Sequence, residues 1–257
     1  MDKGTRIRWP FRLAIILVVL VSWVSAGAPA AHAEGSELQV ITEIAPPSAF
    51  YDERGNLAGL AVEVVRAIQR ELGTHTEIQV MPWARGYQEL NKTPDIALFS
   101  TTRTPARERL FKWVGPLFTT HWVLYARKDS GLHITSLEDA KSIERIGVYR
   151  DDARAQFLTA KGFHNLDIAD RQERSVVKLL GGRIDAVLYS DLGLKAYLAK
   201  SGTDPDLVEA VYELGARDLY IAFSMDTAPE TVRAWEQAFA RLEERGDLQR
   251  IREKWLP

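Results

Sequence analysis

Apolar positions along the chain fall into two alternating kinds of pattern. The short run Leu38-Gln39-Val40-Ile41-Thr42 predicts a strand, whereas Leu60, Val64, Val65, Ile68 and Leu72 recur at helical spacing and predict a helix over 60–72, stopped by Gly73. Further strands are expected over 77–80, 95–99, 122–125, 146–149, 185–189 and 219–223, with helices between most of them. The chain closes on two helical patterns, 229–242 and 247–255, split by Gly246. This alternation predicts an α/β protein with parallel-type sheets.

Two features argue against a single sheet. The polar break Arg127-Lys128-Asp129-Ser130-Gly131 interrupts the series, and a second one starts at the helix-initiating pattern Ser136-Leu137-Glu138-Asp139. That second series ends near Glu213-Leu214-Gly215-Ala216-Arg217, which leaves the strand over 219–223 without a neighbour unless it returns to the first series. Two lobes joined by two crossovers follow, with crossovers near Tyr125 and Ala216. One lobe is expected from 34–126 with 216–257, the other from 127–215.

The first 33 residues have a different character. Lys3, Arg6, Arg8 and Arg12 precede the apolar run Leu13 to Val24, and small residues lead to Ala31-His32-Ala33. A run of about 12 residues is too short for a span of roughly 20, and the ending suits signal peptidase, so a signal peptide cleaved after Ala33 is expected. Its removal takes four basic residues and Asp2 from a chain with 33 basic and 35 acidic residues, leaving the remainder at net charge −5. Such a chain lacks the positive field that would hold nucleic-acid phosphates. The absence of Cys excludes disulfides, thiol catalysis and Cys-ligated metals. The five His show no metal-binding spacing and there is no glycine-rich phosphate loop, so no metal or cofactor is expected.

Several local sequences, taken in order, resemble one family. Ala45-Pro46-Pro47, Gly55-Asn56-Leu57-Ala58-Gly59, Asp95-Ile96-Ala97-Leu98, Thr104-Pro105-Ala106-Arg107, Ile146-Gly147-Val148, Gly182-Arg183-Ile184-Asp185-Ala186-Val187 and the closing Lys254-Trp255 are similar to the bacterial extracellular solute-binding proteins of family 3. The resemblance implies a periplasmic binding protein-like fold of type II, with two α/β lobes closing over a ligand. It also implies the amino-acid-binding component of an ABC importer, acting in the periplasm as a monomer with an inner-membrane permease as partner.

Candidate site residues can then be read physically. Thr104-Pro105 predicts an N-cap and first helical position, which places Arg107 in the first turn of a short helix. Its planar fork suits a carboxylate, and Ser100 and Thr102 alternate on the preceding strand end to face the same way. In the family the matching Arg holds the ligand's α-carboxylate; the competing reading is a surface Arg paired with Glu108 or Asp95. Trp83, after Pro82 at a strand end, resembles the family position that walls the pocket, with core packing as its alternative. Glu43, after the first strand, suits a ligand cation or a solvated loop.

The second half departs from the family pattern. Where amino-acid binders have Gly followed by two hydroxyl residues, this chain has Arg150-Asp151-Asp152-Ala153. Asp152 is expected to cap the next helix, occupying the N–H groups that would receive an anion, so the second anion clamp is either missing or supplied by Arg150. Ser190 stands where the family has the Asp that takes the α-ammonium, with Asp191 one residue later. These departures favour a small anion or zwitterion over a standard α-amino acid.

Two function classes remain beside the binder: an exported dehydratase on the same fold, with Glu43 or Asp191 as general acid, and a ligand-sensing partner of a membrane receptor. The export expectation has a direct check. N-terminal sequencing of the exported protein should begin at Glu34, and an intact Met1 on a membrane-bound product would contradict it.

Overall fold

A computed structural model of the chain describes residues 37–256 together with Met1. The charged start, apolar run and Ala31-His32-Ala33 ending lie outside the described residues. In chain order the elements are β1 (Gln39–Thr42), β2 (Phe50–Tyr51), β3 (Leu57–Ala58), α1 (Leu60–Leu72), β4 (Ile78–Val80), α2 (Trp83–Lys92), β5 (Ile96–Thr102), β6 (Phe111–Arg127), β7 (Ile146–Tyr149), α3 (Ala153–Ala160), β8 (Leu166–Ala169), α4 (Gln172–Leu180), β9 (Ala186–Ser190), α5 (Asp191–Ser201), β10 (Val208–Ser224), α6 (Pro229–Glu244) and α7 (Asp247–Trp255). The expected helix start at Ser136 yields only a short 3-10 turn, Asp139–Ser142.

Eight strands hydrogen-bond as one continuous sheet in the order β4-β1-β5-β10-β6-β9-β7-β8, which corrects the expectation against a single sheet: β6 and β10 run through both lobes and join the two series. The outer pairs are parallel, as β-α-β connections require, but the sheet is mixed and not parallel throughout. β6 and β10 are each 17 residues long and antiparallel to one another from Val208↔Arg127 to Ser224↔Phe111. The short strands expected at 122–125 and 219–223 are portions of these two. The returning strand does find its neighbour in the first lobe, because β10 pairs antiparallel with β5 from Leu219↔Thr102 to Phe223↔Ala97.

The apolar residues gather accordingly. In the first lobe, Leu60, Val64, Val65 and Ile68 of α1 meet Trp235, Ala238 and Leu242 of α6, with Phe223 of β10 edge-on to Trp235 at 5.5 Å. In the second, Trp122, Ile146, Val148, Leu158 and Leu188 form one group, and Val176, Leu179, Val187 and Leu198 another. Along β6 core membership passes from the one group to the other between Phe118 and Trp122, and along β10 between Leu214 and Leu219.

The start of α1 is fixed by backbone alone. Gly59, at φ +126°, precedes it with no side-chain cap, and the orphan N–H groups of Leu60 and Ala61 donate to Pro47 O (3.0 Å) and Ser48 O (3.1 Å). A Cβ on Gly59 would lie 2.4 Å from Ser48 O, which is backbone and has no rotamer to change. Gly59→Ala is therefore expected to lower stability by roughly 2–4 kcal/mol in chemical denaturation. Gly73→Ala, left-handed at φ +69° but with open space around its Cβ, should cost only about 1 kcal/mol. Equal small effects at both positions would refute the packing of the 45–48 loop on α1.

Candidate functional site

A cavity of about 690 Å³ lies between the lobes. The first lobe contributes the loop Glu43 to Ser48, Trp83, Ser100 and Thr102; the second contributes Tyr149, Asp152, Arg154, the run Arg171-Gln172-Glu173, Tyr189 and Ser190. Phe118, Thr120 and Trp122 on β6 form part of its wall. Most of these residues follow the carboxyl ends of strands, the crevice where open α/β sheets take ligands.

Glu43 follows β1 and accepts a hydrogen bond from Tyr149 Oη at 3.2 Å. Burial, reinforced by the nearby Asp152 charge, raises its pKa to about 8 against the opposing hydrogen bond from Tyr149. Trp83 lines the cavity while only 3% exposed and stacked on Tyr87 at 5.6 Å. Its backbone N–H donates to Tyr149 Oη (3.2 Å) and its indole N–H to Asp151 O (2.9 Å), so it also joins the lobes. Ser100 and Thr102 are both in the lining. Ser100 reaches it from a bulged position at φ +61°, its hydroxyl against that of Ser48.

Arg107 requires a correction. The expected short helix is a succession of turns over 105–110, with Arg107 N–H donating to Thr104 O (2.9 Å) and Leu110 N–H to Arg107 O (3.0 Å). The eight residues between β5 and β6 are thus a run of i to i+3 turns, without a helix whose free N–H groups face an anion. The side chain is 1% exposed and outside the cavity lining. Its guanidinium lies 5.4 Å from the Trp83 ring and 4.6 Å from the Tyr87 ring, and burial lowers its pKa. Glu108, the proposed surface partner, instead pairs with Arg103.

The turn 150–152 does two of the expected things and not a third. Asp152 caps α3, accepting from Arg154 N–H at 2.8 Å, and so takes the donor an anion would need. Tyr149 is turned inward at the end of β7, which sends Arg150 to the exposed side; it does not line the cavity and supplies no clamp. The basic residue at the cavity is Arg154, two positions beyond the cap. Asp152 and Arg154 form a buried bidentate pair, Nε to Oδ1 at 2.6 Å and Nη2 to Oδ2 at 3.1 Å. Although burial opposes ionisation of Asp152, the Arg154 charge holds its pKa below the usual carboxylate range.

Ser190 lines the cavity and caps α5, accepting from Gly193 N–H at 3.2 Å. Asp191 is diverted from both roles suggested for it. One carboxylate oxygen accepts from Thr120 Oγ1 (2.5 Å), His121 N–H (2.9 Å) and Leu192 N–H (2.7 Å), which fastens α5 to β6 away from the lining.

The match to known proteins agrees with this architecture. Residues 38–257 match the model of the bacterial extracellular solute-binding proteins, family 3. The chain belongs to that family. Among curated family relatives, the arginine-binding extracellular protein ArtP of Bacillus subtilis is 25% identical over 210 residues, covering 80% of each chain. A probable amino-acid ABC transporter-binding protein of Haemophilus influenzae is 24% identical, covering 82% of this chain and 80% of the other. The solved structure of an ancestral arginine-binding protein bound to arginine superposes with a TM-score of 0.75 at 25% identity, covering 86% of this chain and 98% of that one. The two-lobed type II fold of family 3 is thus the fold of this chain.

Arg154, Tyr149, Tyr189, Arg171 and Glu173 escaped sequence reading. Tyr149 and Tyr189 end predicted strands, which was the available signal; Arg154 was hidden behind the more prominent Arg150.

Glu43 carries a pH prediction. Folded, it keeps its proton up to about pH 8, while unfolded it loses it near 4.5, so folding takes up a proton between these values. Stability must therefore fall as pH rises through that window. Asp152, shifted the other way, contributes stability that is lost only as pH falls below its ordinary value near 3.8. Glu43→Gln should flatten the stability profile over pH 5–8 and exceed the wild type at pH 8 by on the order of 1–3 kcal/mol in denaturant titrations. An unchanged slope would show that Glu43 is ionised at neutral pH.

Proposed function

We propose that this family 3 protein is an exported, monomeric receptor that captures a small polar solute, an amino acid or related carboxylate, between its lobes and delivers it to an ABC permease of the inner membrane. The single observation that carries the proposal is the cavity itself. It is enclosed by both lobes, has the volume of a small-molecule site and is lined by three acidic side chains (Glu43, Asp152, Glu173) and three basic ones (Arg154, Arg171, Lys200). With Glu43 protonated at neutral pH the lining carries a net positive charge, which suits a carboxylate-bearing guest. Aromatic faces from Trp83, Phe118, Trp122, Tyr149, Tyr189 and Tyr197 suit its carbon skeleton or a cationic end.

Binding is preferred to catalysis because the relatives' names are those of binding proteins and because Asp191, one of two candidate acids, is consumed by three internal hydrogen bonds. Closure about β6 and β10 would present a changed outer surface to the permease. Mass spectrometry of solute released from gently purified protein should find a small carboxylate or zwitterion at about one per chain. Dehydration of a cyclic carboxylic acid at catalytic rates, with no retained solute, would overturn the proposal.

A further inference from the structure

The fork of Arg107 is filled by the protein itself. Nε donates to Gln156 Oε1 (2.9 Å), Nη2 to Asp151 O (3.0 Å) and Nη1 to Thr102 O (3.5 Å). Two of these three oxygens belong to the other lobe. Asp151 presents its carbonyl from a left-handed backbone at φ +58°, and that carbonyl also accepts the Trp83 indole N–H. A ligand carboxylate at Arg107 would have to evict Asp151 and Gln156 and leave buried acceptors unpaired.

Arg154 is in the opposite condition. It lines the cavity at 8% exposure, and Asp152 holds only one edge of its guanidinium, Nε and Nη2. Nη1 is buried and has no hydrogen-bond partner among the described residues. A guanidinium has five N–H donors, so one carboxylate does not saturate it and donors remain on the other edge for a second. Arg171 and Lys200 add positive charge to the same lining, while Glu173 supplies oxygens for an amine.

We propose that Arg154, held in place by Asp152, receives the carboxylate of the bound solute, and that Arg107 serves instead as a brace between the lobes. This rests on the reading of the cavity as the site of an amino-acid-like solute. It moves the anion-recognising charge from the first lobe to the second.

The test is calorimetry on the mature chain with three acids and their decarboxylated amines: L-arginine with agmatine, L-histidine with histamine, and L-lysine with cadaverine. For an acid that binds, the wild type should prefer it to its amine by at least roughly thirtyfold. Arg154→Gln should reduce that preference to below about fivefold while changing amine affinity by no more than about threefold, whereas Arg107→Gln should weaken both partners alike and keep the ratio. Because Arg154→Gln leaves Asp152 unpaired, the double variant Asp152→Asn/Arg154→Gln, checked for native circular dichroism, should lose the preference equally. A preference that survives both Arg154 variants and vanishes in Arg107→Gln overturns the proposal, as does equal wild-type affinity for acid and amine. A wild type that binds none of the three acids overturns the amino-acid reading itself and the proposal with it, an outcome distinguished by its appearance before any substitution.

Discussion

The pairing of β6 with β10 is the constraint on which the rest of the molecule depends. Two strands of 17 residues run side by side through both lobes, and every other strand of the large sheet joins one flank or the other. On one flank β5 attaches to β10 and carries the first lobe; on the other, β9 attaches to β6 and carries the second. A continuous ladder sets the twist and spacing of the two halves, so strand ends from both converge on one crevice. The register irregularities of the ladder at 210/212, 213/215 and 219/221 flank the stretch where core membership changes from one lobe to the other. Bulged pairing there allows bending that a regular ladder would resist.

Across that crevice the lobes are joined chiefly by polar contacts. Trp83 and Arg107 donate to Asp151 O, Trp83 N–H meets Tyr149 Oη, and the same hydroxyl reaches Glu43. Hydrogen bonds of this kind are individually modest in net terms, about 1 kcal/mol each. Charge within the cavity is held by a different device. Asp152 and Arg154 are both buried and remain ionised because each stabilises the other, whereas Glu43, buried without a basic partner bonded to it, retains its proton.

Local periodicity made most of the fold legible. Helix α1 matches the predicted 60–72, β7 the predicted 146–149 and α7 the predicted 247–255, because the helices carry a single dominant period and β7 is a short run buried at every position. The long strands were legible only in fragments. Gly115, Pro116 and the polar Thr119-Thr120-His121 interrupt the apolar pattern of β6 where it leaves one core for the other. Of the cavity lining, Glu43, Trp83, Ser100, Thr102, Asp152 and Ser190 were legible because strand ends and caps have sequence signatures. Arg150 and Arg154 could not be told apart by type; strand alternation decides the first, and the tertiary pairing with Asp152 decides the second. Asp191 was misjudged for a similar reason, since its hydroxyl and amide partners come from β6, some 70 positions earlier in the chain.

The most direct test of this account is a crystal structure of the mature chain with its captured solute. The solute should lie between the lobes with its carboxylate against the Arg154 guanidinium, with the Arg107 bonds to Asp151 and Gln156 intact. A carboxylate seated in the Arg107 fork, with Asp151 and Gln156 displaced and Arg154 turned away, would contradict it.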